Sequence, residues 1–289
     1  SALNLCPNGL SLLRILCFSG RWYLRSIMEL NLKNKTALVC GSTQGIGRAA
    51  AIELALLGAN VILLARNEDK LKETLAVLPK AEGQEHKYLV ADYSEQQQLK
   101  SKVETLVRTG NPIHILVNNT GGPPGGLITN AKTEEFLAAF NNHLVCNHIL
   151  VQALIDGMKK EKYGRIINVI STSVKQPLKG LGVSNTVRAA VANWSKTLAA
   201  EVARYNITVN NVLPGATNTQ RLQSIIENKS KNSGESENEI IQEMESEIPM
   251  GRFAEPAEIA NAIAFLASPA ASYITGINVP VDGGRTSCL

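Results

Sequence analysis

Tyrosine is missing from the part of this chain where other signals crowd together: none occurs between Tyr163 and Tyr205. Aromatic residues are scarce throughout, 4% of 289 residues with two Trp. The five Cys form no CxxC pair and no Cys/His cluster, which excludes an ordinary zinc site or disulfide framework and suits reduced thiols in a cytoplasmic protein. Strong charge of either sign is also absent. The net charge is +4 and the basic residues are scattered, too weak an imbalance for a nucleic-acid surface. The apolar run 10–18 is interrupted by Arg14 and is too short to span a bilayer, and no other stretch is a better candidate for a membrane segment. What is present is ordinary for a globular chain: 44% hydrophobic and 19% charged residues, enough to bury the core of one large domain.

Residues 1–27 have a texture of their own. They hold Arg14, Arg21 and Arg25 and no acidic residue; the first is Glu29. Such a leader reads either as a transit peptide or as an appended extension. The second reading is favoured, because the recognisable domain, residues 28–289, starts cleanly at Met28.

From Lys35 onward, short apolar runs alternate with amphipathic stretches. Strands are expected at 35–40, 59–66, 86–92, 113–119, 165–171, 207–215 and 276–284. Helices are expected at 48–58, 68–78, 94–110 with Ser94 as its N-cap, 133–159, 185–205 and 256–268. This alternation predicts an α/β domain: a doubly wound, parallel sheet of about seven strands with helices on both faces. Two segments break the rhythm. One is the loop GGPPGG at 121–126. The other is the polar, turn-rich insertion at about 220–250, containing NKSKNSGESENE, which reads as a mobile lid or as a surface loop.

The turn Gly41-Ser42-Thr43-Gln44-Gly45-Ile46-Gly47 falls between the first strand and the first helix. Glycines there let the backbone approach a pyrophosphate, and the helix N-terminus behind them offers unpaired N–H groups. With it go NNTG at 118–121, PG at 214–215 and the ending GRFAEPAEIANAIAFLASPAASYITGINVPVDGG. Over about residues 30–285 these motifs resemble the short-chain dehydrogenase/reductases, most closely the 3-oxoacyl-acyl-carrier-protein reductases and their relatives. The resemblance implies that Gly41, Gly45 and Gly47 cradle the pyrophosphate and that Asp92 binds the adenine. It also implies that Asn118 and Asn119, with Thr120 and Gly121, support the adenosine side. Pro214, Gly215, Thr217 and Thr219 would frame the nicotinamide amide. Thr120 stands where the family pattern has Ala and would add a hydroxyl near the ribose. The second strand ends in Ala65 and Arg66 rather than an acidic residue. Arg66 can pair with a 2′-phosphate, so NADP(H) is expected over NAD(H), although an ordinary solvated arginine would look the same.

The chemical positions depart from the family. There, a Tyr donates the proton, a Ser holds the substrate oxygen, a Lys binds the nicotinamide ribose, and an Asn anchors a water. By spacing, the Ser is Ser171; the Asn position is His143, the Tyr position Ser184 and the Lys position Arg188. A serine hydroxyl is a far weaker acid than a phenol of pKa ~10. Arg188 keeps the positive charge but does not exchange protons near neutral pH. His143 titrates near ~6.5 if unperturbed and becomes the candidate acid, unless it is a structural histidine as His148 is expected to be. Ser184 also reads as a plain N-cap. Lys175 and Lys179, flanking Pro177, are placed to meet an anionic substrate or simply to be solvated.

Three functions compete. The first is an NADPH-dependent carbonyl reductase or alcohol dehydrogenase with an atypical proton donor, acting on a small-molecule carbonyl, free or acyl-carrier-bound. The second is an NADP(H)-binding module or inactive partner subunit. A purely structural protein ranks third, since it leaves the glycine turn and Arg66 without purpose. The apolar 256–284 segment resembles the family's subunit-packing region, so a homotetramer or homodimer is expected.

Overall fold

Apolar runs bounded by turn residues become the central strands, because only a strand covered on both faces is this uniformly apolar. In the computed structural model, residues 15–18, 21–24 and 28–288 are described. Within the leader, β1 (Ile15–Phe18) pairs antiparallel with β2 (Arg21–Leu24). The rest of the leader, and with it the choice between transit peptide and extension, lies outside the described residues.

The domain proper runs β3 (Thr36–Cys40), α1 (Gly45–Leu56), β4 (Asn60–Ala65), α2 (Glu68–Ala76), β5 (Lys87–Val90), α3 (Gln96–Thr109) and β6 (Ile115–Asn118). It continues with α4 (Thr133–Phe140), α5 (Cys146–Glu161), β7 (Gly164–Val169), α6 (Gly182–Val202) and β8 (Ile207–Pro214). The last elements are α7 (Gln220–Ser233), α8 (Glu237–Ser246), α9 (Pro256–Ala267) and β9 (Asn278–Val281). The seven strands form one parallel sheet in the order β5-β4-β3-β6-β7-β8-β9. The expected doubly wound α/β architecture is what the chain adopts. One apolar layer gathers α1 and α9 with side chains such as Val39 and Val117; the other gathers α3 and α5 with Leu38 and Leu116.

The sheet order reverses between β3 and β6, since β4 and β5 lie on one side of β3 and all later strands on the other. At such a switch point two loops diverge and leave a crevice at the carboxyl edge.

Several local expectations differ from the structure. Ser94 does not cap α3; Glu95 holds that position, and the Ser94 N–H instead donates to Asp92 Oδ1 at 2.9 Å. The expected continuous helix 133–159 is interrupted by a π-turn at Asn141–Val145. The polar insertion is not a loop. It forms the α7–α8 hairpin, closed by Gly234 at φ +80° and a capping box between Ser236 and Glu239. Leu222, Ile226, Ile240, Met244, Ile248 and Phe253 form a small core of its own there.

A row of asparagines crosses the sheet. Asn118 on β6 donates to Asn168 Oδ1 (2.8 Å), Asn168 donates to Asn211 Oδ1 (3.0 Å) and to Ser195 Oγ (2.9 Å), and Asn211 donates to Asn278 Oδ1 (2.8 Å). Each pair is also in direct strand register. Inside a sheet with no water, each amide must be matched by the next. Asn168 is fully buried and holds three partners. Replacing it with Ala orphans them, so Asn168→Ala is expected to cost about 3 kcal/mol of unfolding free energy in urea denaturation; a cost below about 1 kcal/mol would mean that the row is solvated.

Candidate cofactor and substrate site

Gly41 and Gly45 open the turn after β3 with φ of +58° and +51°, backbone that a side chain would strain. A Cβ on Gly47 would lie 2.2 Å from the Gly41 carbonyl oxygen and 2.7 Å from Asn119 Nδ2. The turn is therefore closed against the loop after β6. Asn119 Nδ2 donates to the carbonyls of Cys40 and Gly41 at 3.3 and 3.2 Å, across the switch point. Ser42 is fully buried and its hydroxyl donates to Leu64 O at 3.4 Å, so its side chain serves the sheet. Ile46 packs on the core, while Thr43 is half-buried and Gln44 exposed. Helix α1 has no side-chain cap and no acidic residue in its first turn. Its N–H groups and the positive end of its dipole are left open to an anion.

Arg66 leaves β4 at the same edge and is exposed, without an ion pair among the described residues. Asp92, two residues beyond β5, is kept below the usual carboxylate range, first by the Ser94 N–H and also by the charge of Arg66. Asn118 Oδ1 is buried with no partner among the described residues. On the far side, a Cβ on Gly215 would lie 2.7 Å from the Asp282 backbone, so only glycine lets Pro214 pass so near β9. Thr217 bonds the Gly215 carbonyl, and Thr219 caps α7 through Leu222 N with its methyl close to Gly45. Gly121 is exposed with open space about it.

The chemical half gathers on α6. This helix starts at Gly182 with Leu181 before it, so Ser184 lies inside the first turn and is not the cap expected from SNT. Ser184 and Arg188 share a face at i and i+4. Helix α6 packs against both the short turn Thr172–Val174, which Ser171 caps, and the π-turn that carries His143. Ser171 Oγ accepts from Ser173 N at 3.1 Å, leaving its own proton free to donate. Arg188 is 8% exposed, and its Nη1 donates to Val169 O at 3.0 Å. Burial, and then the neighbouring Arg221 cation, lowers its pKa to about 10.

His143 differs most from expectation. It is 3% exposed, and its Nδ1 shares a 2.5 Å hydrogen bond with Thr120 Oγ1. Burial, and then the Arg188 cation, pushes its pKa from 6.5 to about 2. An imidazole so disposed stays neutral across the working pH range and is no imidazolium acid. The Thr120 hydroxyl, expected near a ribose, is committed to this ring. His143 lies within the π-turn, where the helix phase shifts by one residue.

One participant escaped sequence reasoning. Arg221, at the start of α7, donates from Nη2 to Pro123 O at 2.6 Å and so ties the hairpin to the GGPPGG loop. Its signal was faint: a single arginine in a polar stretch. That loop is stitched in turn to the segment before α6 by Gly126 N donating to Gly180 O at 2.7 Å.

Comparison with known proteins fits this geometry. A family model described as enoyl-(acyl carrier protein) reductase matches residues 41–286. The 3-oxoacyl-[acyl-carrier-protein] reductase FabG of Pseudomonas aeruginosa is 35% identical over 261 residues, covering 88% of this chain and 98% of the relative. The chain belongs to the short-chain dehydrogenase/reductase family. Another relative, the NADPH-dependent reductase BacG of Bacillus subtilis, is 31% identical, covering 89% of this chain and all of its own. Among solved structures, L-sorbose reductase from Gluconobacter frateurii, complexed with NADPH and L-sorbose, superposes with a TM-score of 0.84. It is 32% identical and covers 91% of this chain and 100% of its own.

For a short-chain dehydrogenase/reductase, the residues present fit the cofactor. The uncapped α1 N-terminus, the close-packed glycines, and Arg66 and the Asn118 oxygen, both without partners among the described residues, leave donors and an acceptor that a dinucleotide could meet. The acid side of the site yields a stability prediction. Below about pH 6.5 the unfolded chain protonates His143 and the folded chain does not, so stability falls as the pH drops from 6.5 towards 2. At pH 5 this amounts to about 2 kcal/mol. His143→Asn is expected to shrink the stability difference between pH 7 and pH 5 by about that amount in denaturant titrations; an unchanged difference would mean that the imidazole protonates freely in the fold.

Proposed function

We propose that the protein is an NADPH-dependent carbonyl reductase in which Arg188 takes the place of the family's lysine and solvent supplies the proton. The observation that carries this reading is the buried guanidinium of Arg188, anchored at Val169 O at 3.0 Å on the same helix face as Ser184. The relatives support the choice of cofactor: BacG is described as NADPH-dependent, and the sorbose reductase was solved with NADPH. When bound, the cofactor supplies the hydride. Gly41, Gly45, Gly47 and the open α1 N-terminus hold its pyrophosphate. Arg66 pairs with the 2′-phosphate, Asp92 accepts from the adenine, and Asn119, with Gly121 beside it, keeps the adenosine loop in register. Pro214, Gly215, Thr217 and Thr219 frame the nicotinamide amide.

Ser171 and Ser184 donate hydrogen bonds to the substrate carbonyl oxygen. Arg188 stabilises the negative charge that develops there, with an effect enlarged by its burial. The serine hydroxyls hold the oxygen by hydrogen bonds and have no group beside them to replace a donated proton, and neutral His143 holds Thr120 rather than a proton in transit. Water then protonates the alkoxide. The rate of bound NADPH oxidation is expected to show no limb near pH 6.5; a limb there would restore an imidazolium donor.

A second reading keeps the cofactor and drops the turnover. Ser184 in the place of the family's Tyr favours it. Single-turnover oxidation of bound NADPH by aldehydes, ketones and oxo acids separates the two. NADPH is expected to bind at least about tenfold tighter than NADH, a gap that Arg66→Ala closes, and at least one carbonyl class to consume it. Binding without consumption leaves the second reading, and no binding ends both.

A homotetramer or homodimer goes with the exposed edge strand β9 and its flank, where Tyr273 is 100% and Ile277 40% exposed. The sizing-column mass is expected to be a multiple of 31.1 kDa; a monomer peak would end this reading.

A further inference from the structure

We propose that Arg188 and Arg221 form a carboxylate clamp, so that the substrate is an oxo acid rather than a neutral ketone. This deepens the reductase reading and rests on it. Arg188 uses Nη1 on Val169 O, but its remaining fork is unpartnered: Nε is buried with no hydrogen-bond partner among the described residues, and Nη2 makes no bond. Nε and Nη2 are the parallel donors that meet a carboxylate bidentately. Arg221 approaches from the other side. A Cβ on Gly122 would lie 3.8 Å from Arg188 Nη2 and 3.7 Å from Arg221 Nη2, so both guanidiniums converge on this one glycine of the GGPPGG loop. Among the described residues neither has a carboxylate within 4.0 Å.

Two like charges are thus held together, one of them buried, with no anion of the protein between them. Burying an unpaired cation is costly, and a bound carboxylate offsets that cost. The cofactor does not call for this pair. Its pyrophosphate falls to the α1 N-terminus and its 2′-phosphate to Arg66, and the hydroxyls of a ribose need one cation at most. The second arginine ties the hairpin to the GGPPGG loop through Pro123 O, and among the described residues no carboxylate pairs with its charge. Because Arg221 sits on α7, the anion also spans from the hairpin to the catalytic helix. In the reaction the keto carbon accepts the hydride and the C=O π pair moves onto oxygen. A water proton completes the hydroxy acid, and NADPH is left as NADP⁺.

The test pairs each acid with its neutral ester: acetoacetate against methyl acetoacetate, and 2-oxobutyrate against methyl 2-oxobutyrate. Binding is measured by calorimetry on cofactor-free and NADPH-loaded protein, for wild type, Arg221→Gln and Arg221→Lys. Acids are expected to bind at least about tenfold tighter than their esters to the wild type. Arg221→Gln should erase the preference and Arg221→Lys retain part of it, with NADPH affinity unchanged in both. Equal affinity for acid and ester in the wild type overturns the clamp. So does a loss of NADPH affinity in Arg221→Gln that matches any loss for the acids, since the pair then serves the cofactor's phosphates. If the wild type prefers acids but does not bind NADPH, the clamp stands and the reductase reading falls.

Discussion

The site depends on how closely two backbones can approach at the reversal of strand order. The turn after β3 presses on the loop after β6 so tightly that Gly41 has no room for a methyl group, and Asn119 bonds two carbonyls of the facing segment. That contact fixes the gap between the halves of the sheet and aims the first turn of α1 out of it. On the near side the gap is lined by glycine and backbone. On the far side it is lined by the carboxyl ends of β6, β7 and β8. A helix dipole and a set of loops are thereby aimed at one volume, the arrangement open α/β sheets use for ligands.

Against that frame the electrostatics are lopsided. The end of α6 nearest the π-turn holds the buried Arg188, the tethered Arg221 and a histidine kept neutral by burial and then by Arg188, with no carboxylate paired to either arginine among the described residues. Stability alone would not select this grouping, because a buried guanidinium with one carbonyl partner is a burden on the fold. The asparagine row, by contrast, is matched amide to amide, save for the outer oxygen of Asn118. A buried polar group left without a partner calls for an explanation, and at Arg188 a bound anion would supply one.

Much of this was legible in the sequence. Uniformly apolar runs alternating with amphipathic ones dictate parallel strands and covering helices, and glycine spacing between a strand and a helix marks the anion turn. The pairing of Ser184 with Arg188 followed from helical spacing alone. What escaped had physical reasons. The π-turn leaves no signal in periodicity because it shifts the phase by one residue and then resumes, yet it carries the buried His143. The 220–250 segment looks soft in the sequence because its charges are dense; a polar count conceals Leu222 and Ile226, and Ile240, Met244 and Ile248, which recur at i, i+4 spacing and pack with Phe253. Arg221 was hidden with them. The asparagines of VNN, INV and VNN were visible as polar residues within apolar strands, but that the four amides pair in sequence is a matter of register, which no single strand reveals.

The asparagine row also has a bearing on synthesis. Its members are contributed in chain order, residue 118 first and residue 278 last. While the chain is still emerging from the ribosome, each amide added exposes one more that awaits the next strand. The row closes only when β9, the last strand of the sheet in chain order, docks. A nascent chain therefore holds the complete glycine turn well before it holds a complete sheet, and the polar seam through its core remains open to water, or to a chaperone, until that strand has been made.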